Sequence, residues 1–221
     1  MFESVNVIGS GRVGSAVSAR LRERGVAVRP NAELVLLCVP DTAIRSVARD
    51  LEPGPWVAHV SGATPLAALE LHASRFSMHP LQTFTRARGP EQLDGAWAAV
   101  TAESDAARAT GYWLAETLGL RPFDLADSAR TLYHAGAVFA SNYIVTLERA
   151  AALLFDSAGA PPEALEPLMR RTIENGFELT GPIARGDWDT VAAHRAAIQE
   201  RRPELDHLYE TLAGATLALA T

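Results

Sequence analysis

The stretch Ser4–Gly14, which reads SVNVIGSGRVG, carries the strongest structural signal in this chain of 221 residues. Residues 4–8 are mostly apolar and predict a short buried strand, whereas apolar residues recur at helical spacing from Val13 to Leu21. Three glycines lie between the two elements in the spacing G-x-G-x-x-G. A strand, a glycine-rich turn and a helix in this order are typical of a dinucleotide site, because a pyrophosphate binds against the helix N-terminus.

The residues of this turn have separate predicted roles. Gly9 permits the tight turn off the strand, Gly11 lets the backbone approach a pyrophosphate, and Gly14 lets the helix pack closely on the sheet. We therefore predict that the turn binds a cofactor through Gly9, Ser10, Gly11, Arg12, Val13 and Gly14. The structural alternative is a glycine turn that binds no ligand.

Strands and helices are predicted to alternate over the first 126 residues. Apolar runs predict further strands at about 26–28, 33–39, 56–61, 75–78, 97–101 and 120–125, and helices are predicted at 12–24, 41–50 and 105–118. This alternation indicates an α/β fold with a Rossmann-type parallel sheet. After residue 126 only helices are predicted, at about 128–158, 162–179, 188–201 and 204–219. The predicted domains are therefore 1–126, a dinucleotide-binding-like domain, and 127–221, an all-helical substrate and dimerisation domain.

The connection after the second predicted strand is unusually short. About five residues separate it from the third strand, whereas a crossover usually needs about 10 residues and a helix. The helix that normally covers the adenine side of the cofactor is therefore expected to be missing. Arg29 stands where such sites usually hold an acidic residue for the ribose, and it favours the 2′-phosphate of NADP. We predict NADP as the cofactor, with NAD as the alternative.

Polar residues follow three predicted strands at their carboxyl ends, where open parallel sheets bind ligands. A histidine whose pKa lies near neutrality suits proton transfer or anion binding, so His79 is a candidate catalytic residue. A His79 that only hydrogen-bonds its own loop is the alternative. The remaining candidates at these ends are Val39, Pro40 and Ser61 beside the cofactor, and Gln82 and Thr83 for substrate binding.

The long apolar helix predicted at 128–158 carries the second set of candidates. At 100° per residue, Ser141 lies about 20° and Asn142 about 80° from His134 around the helix axis, so all three can face one cleft. We predict catalytic roles for His134 and Asn142 and a structural role for Ser141. Further along, Arg185 is a candidate clamp for a substrate anion, and Asp187 is placed to cap a helix at 188–201.

Composition excludes several classes of protein. The net charge of −6 argues against nucleic acid as a partner, and the single cysteine, Cys38, cannot form an intrachain disulfide. No histidine or cysteine set has zinc spacing, so no metal site is predicted. The N-terminus lacks a signal-peptide pattern and residues 212–221 are too short to cross a bilayer, so we expect a cytoplasmic protein without a membrane partner. His72 and His207 are expected to be exposed.

The segments GSGRVG, LVLLCVPD, HVSGA, MHPLQTF, YHAGAVFASNY and GPIARGD, in this order, resemble a bacterial family of Rossmann-like proteins with a helical C-terminal domain of unknown function. The resemblance covers nearly the whole chain. That family is similar in architecture to pyrroline-5-carboxylate reductase, ketopantoate reductase and the 6-phosphogluconate dehydrogenase group. The resemblance implies an NADP(H)- or NAD(H)-dependent oxidoreductase that acts on a small carbonyl, imine or hydroxy acid in a cleft between two domains.

This chain departs from the dehydrogenase group at its first long helix. That group carries a catalytic lysine and an asparagine there, whereas this chain has no lysine and presents His134 and Asn142. Two other interpretations stay open beside the enzyme: a non-catalytic protein that has lost dinucleotide binding, and a dimeric scaffold. In each case the apolar helix predicts a homodimer formed through the helical domain.

Overall fold

A seven-stranded sheet in the order β2-β1-β3-β4-β5-β6-β7 forms the centre of the first part of the chain. The computed structural model describes residues 2–220 and divides into two units, one ending at Phe139 and one beginning at Ala140. All neighbouring strands are parallel except β5 and β6, which are antiparallel. The strands are β1 (Ser4–Ile8), β2 (Ala27–Val28), β3 (Leu34–Leu37), β4 (Trp56–His59), β5 (Arg75–Leu81), β6 (Trp97–Ala102) and β7 (Arg121–Asp124).

Helices cover both faces of this sheet, which confirms the predicted α/β, Rossmann-like class. Helices α1 (Arg12–Glu23) and α3 (Asp105–Thr117) pack on one face of the sheet, together with a 3₁₀ turn at Pro90–Leu93. Helix α2 (Asp41–Arg49) and a second 3₁₀ turn pack on the other face. Successive β3 residues alternate between the two cores, so the whole strand is apolar and buried.

The turn between β1 and α1 requires two of its glycines for packing. Gly9 has a φ of +114°, and a Cβ at Gly9 would collide with the carbonyl group of Cys38. A Cβ at Gly14 would collide with the carbonyl oxygen of Gly9. A Cβ at Gly11 would meet no atom within 4 Å, so this glycine faces open space.

The second strand is as short as its sequence predicts, and no helix lies between β2 and β3 in the described chain. Strand β2 pairs only with Ser4 and Val5, and the next five residues pass to the other side of β1. The amide of Arg29 donates to the carbonyl oxygen of Val5 at 3.2 Å. Arg29 therefore lies about 10 Å, or three residues, from the end of β1 that leads into the glycine turn.

Three local predictions for this unit are wrong. Strand β5 continues through His79 to Leu81 and pairs with an antiparallel strand, because the chain reverses through residues 82–96 without a crossover helix. The sequence also predicts Asp41 or Thr42 as the N-cap of α2, whereas the helix begins at Asp41 and its N-cap residue is Pro40, which makes no side-chain cap. His72 is buried rather than exposed, and its Nε2 atom lies 2.8 Å from the carbonyl oxygen of Ala48.

Helices make up the rest of the chain. The single helix predicted at 128–158 is two helices, α4 (Arg130–Ala140) and α5 (Asn142–Ala158), because Ser141 has non-helical dihedral angles (φ −130°, ψ −72°). The later helices are α6 (Leu165–Glu174), α7 (Trp188–Arg201) and α8 (Asp206–Ala220). Asp187 caps α7 as predicted, since its carboxylate accepts from the amide and hydroxyl of Thr190 at 3.2 and 2.8 Å.

The change from strands to helices and the division into units fall at different places. The last strand ends at Asp124, two residues before the predicted domain boundary at 126. The division into units follows Phe139, because most of α4 belongs with the sheet. His134 is therefore part of the first unit, whereas Asn142 and Arg185 are part of the second.

Candidate functional site

The glycine turn opens onto a cleft of about 550 Å³ between the start of α1 and the loop that follows β5. Gly11 is the N-cap of α1 and offers no side-chain acceptor to the first helical turn. Unpaired amides at a helix N-terminus attract anions, because the helix dipole places partial positive charge there. Arginines line both sides of the cleft: Arg12, Arg86 and Arg88.

The far wall of this cleft is fixed to α1. The guanidinium of Arg20 is almost fully buried and donates to Asp94 Oδ1 at 2.6 Å and to the carbonyl oxygen of Pro90 at 2.8 Å. The side chain of Gln92 donates to the carbonyl oxygens of Arg88 and Gly89 at 2.8 and 2.9 Å. Neither Arg86 nor Arg88 was a site residue predicted from the sequence, and the structure places both in the lining of this cleft.

The predicted cofactor and substrate residues at the other strand ends shape their own loops. Ser61 donates its hydroxyl to Asp41 Oδ2 at 2.7 Å and accepts from the amide of Thr64 at 2.9 Å. Gln82 donates to the carbonyl oxygen of Gln92 at 2.9 Å and accepts from the amide of Thr83 at 2.8 Å. Val39 and Pro40 follow β3 at the same edge of the sheet.

A cluster of ring side chains surrounds Gly62, just beyond the end of β4. His79 comes from β5, and Tyr133 and His134 come from α4. His79 Nδ1 lies 2.8 Å from the Tyr133 hydroxyl, and the two histidine rings are 6.2 Å apart. A Cβ at Gly62 would lie 2.7 Å from His134 Cδ2 and 2.9 Å from His79 Nε2. The structure thus brings together two predicted catalytic histidines and adds a tyrosine.

Arg130 anchors α4 to the sheet beneath this cluster. Its side chain is 1% exposed and donates to Ser77 Oγ at 2.7 Å, to Thr101 Oγ1 at 2.8 Å and to the carbonyl oxygen of Ser61. Its Nε atom has no hydrogen-bond partner in the described part of the chain, and Asp127 Oδ1 lies 3.9 Å away. Arg130 was not among the site residues predicted from the sequence; the available signal was a single charged residue at the start of an apolar helix.

Burial keeps the histidines next to Arg130 uncharged. Burial, reinforced by the charges of His134 and Arg130, lowers the pKa of His79 to about 4. Burial and the charge of Arg130 likewise lower the pKa of His59 to about 3. Burial raises the pKa of the Tyr133 hydroxyl to about 12. The sequence-based expectation of a His79 pKa near neutrality is therefore wrong, and the side chain is a neutral imidazole at pH 7.

The remaining predicted site residues lie in the second unit. Asn142 begins α5 and accepts from the hydroxyl of Ser141 at 3.3 Å. Arg185 is exposed and donates to the carbonyl oxygen of Thr180 in its own loop. The break at Ser141 invalidates the angular count from His134 to Asn142, because that count assumed one continuous helix. Within residues 2–220, no group of three or more acidic, histidine or cysteine side chains could hold a metal ion.

Solved structures with the same architecture cover almost all of this chain. A candidate NADP oxidoreductase from Bacteroides fragilis has a TM-score of 0.83 at 21% identity, over 97% of this chain and 98% of its own. A protein from Thermotoga maritima has a TM-score of 0.76 at 22% identity, over 98% and 97%. The 1-pyrroline-5-carboxylate reductase of Streptococcus pyogenes has a TM-score of 0.61 at 16% identity, over 98% and 97%. These likenesses confirm the fold.

The family comparison points to the same group that the sequence motifs resemble. No curated protein matches this sequence significantly. A domain family of unknown function, DUF2520, matches residues 96–216, which is more than half of the chain. The matched region runs from the end of the sheet through the helices. This chain therefore belongs to the DUF2520 family.

Proposed function

We propose that this protein is an NADP(H)-dependent oxidoreductase that acts on a small carbonyl, imine or hydroxy acid. The observation that carries the proposal is the β1–α1 turn, where Gly9 and Gly14 are packed against backbone and Gly11 faces open space. The first turn of α1 is open beside Gly11, and the arginine-lined cleft adjoins it. These features fit a pyrophosphate, which needs close backbone approach and unpaired amides.

The bound cofactor would supply or accept a hydride, and the chain's own residues would hold the reacting molecule. Val13 lies in the first turn of α1, and Val39, Pro40 and Ser61 lie at the sheet edge where a nicotinamide ring binds in proteins of this fold. His79 and His134 would contact the reacting group, since both imidazoles meet at Gly62. From the sequence motifs we retain Asn142 as a catalytic candidate and Gln82, Thr83 and Arg185 as substrate-binding candidates.

The preference for NADP rests on cations near the turn. Arg29 was the sequence candidate for the 2′-phosphate, but it lies beside Val5, about 10 Å from the carboxyl end of β1. Arg86 and Arg88 line the cleft that includes Gly11, which makes them a second candidate pair. A phosphate monoester carries up to two negative charges, so guanidinium groups in this cleft favour NADP over NAD.

One observation supports a second candidate function. Between β2 and β3 the described chain has no helix to cover the adenosine end of a dinucleotide. A protein with this shortened connection could keep the fold as a non-catalytic ligand-binding or scaffold protein. The two candidates differ in whether a whole dinucleotide binds.

Thermal unfolding with added nucleotide separates these candidates. NADPH at millimolar concentration should raise the melting temperature more than NADH does, since a ligand stabilises the state that binds it. The absence of a shift with either nucleotide would contradict the oxidoreductase proposal. In Arg29→Ala and Arg86→Ala variants, the substitution that abolishes the NADPH preference identifies the phosphate-binding arginine. Arg49→Ala, an exposed helix residue outside this cleft, is the matched control.

We also propose a homodimer formed through the helical region. By length and composition alone, the segment Asp127–Ala158 could cross a membrane, and none of its most apolar window is buried. The break at Ser141 and the burial of Arg130 in the first unit favour a protein partner over a bilayer as the cover for this surface. A second copy of the chain supplies the same apolar surface.

A further inference from the structure

The His79–Tyr133 pair has a defined geometry in the first unit. The Tyr133 hydroxyl lies 2.8 Å from His79 Nδ1, and the rings meet edge to face at 86° with centroids 5.6 Å apart. The other ring nitrogen, Nε2, points toward Gly62, where a Cβ would lie 2.9 Å from it. One nitrogen is therefore engaged by the tyrosine and the other faces the ring cluster.

The direction of this hydrogen bond decides which nitrogen carries the proton. A neutral imidazole has one donor and one acceptor nitrogen. Four charged or titratable side chains act on His79: His134, Arg130 and Tyr133 from α4, and Asp41 from α2. Arg130 and His134 oppose a second proton on the ring, whereas Asp41 alone favours one. The Tyr133 hydroxyl has no other hydrogen-bond partner within residues 2–220, so it is free to donate to Nδ1.

We propose that Tyr133 is a positioning residue that donates to His79 Nδ1 and thereby holds the tautomer whose Nε2–H faces Gly62. His79 then offers a neutral N–H donor to a bound molecule. Such a donor suits an acceptor atom, such as a carbonyl oxygen or an imine nitrogen, and disfavours an ammonium group. That the substrate binds beside Gly62 rests on the proposed function. The assignment of the His79 tautomer does not depend on that function.

The packing of Arg130 supports this arrangement. The arginine bonds to Ser77, two residues before His79, and to the carbonyl oxygen of Ser61, next to Gly62. It therefore joins the start of α4, which carries Tyr133, to the two strand ends that carry His79 and Gly62. This places the hydroxyl and the imidazole in contact before any ligand binds, as a preorganised site requires.

The second unit contains a matched control for this pair. His194 and Tyr209 have the same contact, with Nδ1 2.8 Å from the hydroxyl and rings at 89° and 6.0 Å. That pair lies between α7 and α8, and its hydrogen bond is exposed. Replacement of either tyrosine by phenylalanine removes one hydroxyl and leaves the ring, so each variant serves as the control for the other.

Nitrogen-15 NMR of the histidine rings in the nucleotide-free protein tests the proposal, with His79 assigned by the signals lost in His79→Gln. In the wild type, His79 should show a protonated Nε2 and an unprotonated Nδ1 whose resonance reflects an accepted hydrogen bond. Tyr133→Phe should move the His79 Nδ1 resonance toward the value of a free acceptor and leave His194 unchanged. Tyr209→Phe should leave His79 unchanged.

Two results would overturn the proposal. The first is a protonated Nδ1 on His79 in the wild type, and the second is a His79 spectrum that Tyr133→Phe does not alter. Both are read without nucleotide, so they are independent of NADPH binding. A protein that fails to bind NADPH yet shows the expected His79 spectrum would refute the oxidoreductase and leave the tautomer assignment standing.

Discussion

Gly62 is the residue on which the ring cluster depends. The position has no side chain, and the two imidazoles of His79 and His134 occupy the space that a Cβ would need. Gly11 is the opposite case, because open space surrounds it and its φ of −70° suits any residue. The glycine motif gave Gly11 a predicted role, whereas Gly62 stands in the segment HVSGA without a predicted role. Its role depends on β4, β5 and α4 meeting in three dimensions.

Gly62→Ala should destabilise the protein by about 1–3 kcal/mol, because the new methyl group must displace two packed rings. Gly11→Ala is the control, and its free energy of unfolding should stay within about 0.5 kcal/mol of the wild type. Urea unfolding measures both values. Equal stabilities for the two variants would show that the rings move aside without cost.

The histidines next to Arg130 should make stability depend on pH. Their pKa values in the folded protein, about 4 for His79 and about 3 for His59, lie below the ordinary value of about 6.5 in the unfolded chain. The unfolded state therefore binds more protons below pH 6.5, and stability falls as the pH drops from about 6.5 toward 4. His79 contributes about 3 kcal/mol to this fall at most.

The control for this pH dependence is His79→Gln, which keeps a polar side chain and removes one titrating group. Its unfolding free energy should fall less steeply between pH 6.5 and 4 than that of the wild type. Parallel curves for the two proteins would mean that His79 titrates normally in the folded state.

At the level of helices and strands, the sequence predicted most elements and misplaced their junctions. Apolar runs located all seven strands, because buried strand faces are apolar, and the cap residue Asp187 located the start of α7. The break at Ser141 was missed, since no glycine or proline marks it and the apolar pattern continues on both sides. The antiparallel β5–β6 pair was also missed, because apolar strands do not encode direction.

Two glycines in the helical unit test how the helices are stabilised. Gly214 lies inside α8 and a Cβ there would meet no atom within 4 Å, so Gly214→Ala should stabilise the protein by about 0.5–1 kcal/mol. Gly159 ends α5 with a φ of +75°, so Gly159→Ala should destabilise it by about 1 kcal/mol. Thermal unfolding measures both changes. Loss of stability in Gly214→Ala would indicate that another molecule packs against α8 there.

Considered as a whole, the molecule could be assigned its fold and its glycine turn from sequence, but only part of its site. His79 and His134 were found because each stands in a distinctive motif at a predicted strand or helix. Arg130, Tyr133, Arg86 and Arg88 were missed, because their roles arise from contacts between residues far apart in sequence. Buried arginines in particular need several acceptors, and only the folded chain shows where those acceptors lie.

The exposed apolar surface predicts a homodimer. Leu132 on α4 is 81% exposed, and Phe139 on the same helix is 68% exposed. Large exposed apolar patches are uncommon on monomers, so light scattering should give twice the mass of one chain at micromolar concentration. Leu132→Asp should weaken the dimer, whereas Leu71→Asp, at an exposed position outside α4, should not. A monomer at these concentrations would contradict the prediction.

Calorimetric titration of NADPH measures whether the β1–α1 turn binds the pyrophosphate of NADP(H). The wild type should bind NADPH more tightly than NADH. Gly11→Ala, folded and equally stable, should bind NADPH at least about tenfold more weakly because its methyl group occupies the space beside the turn. Absence of binding by the wild type, or equal affinity in Gly11→Ala, would rule out a pyrophosphate site at this turn.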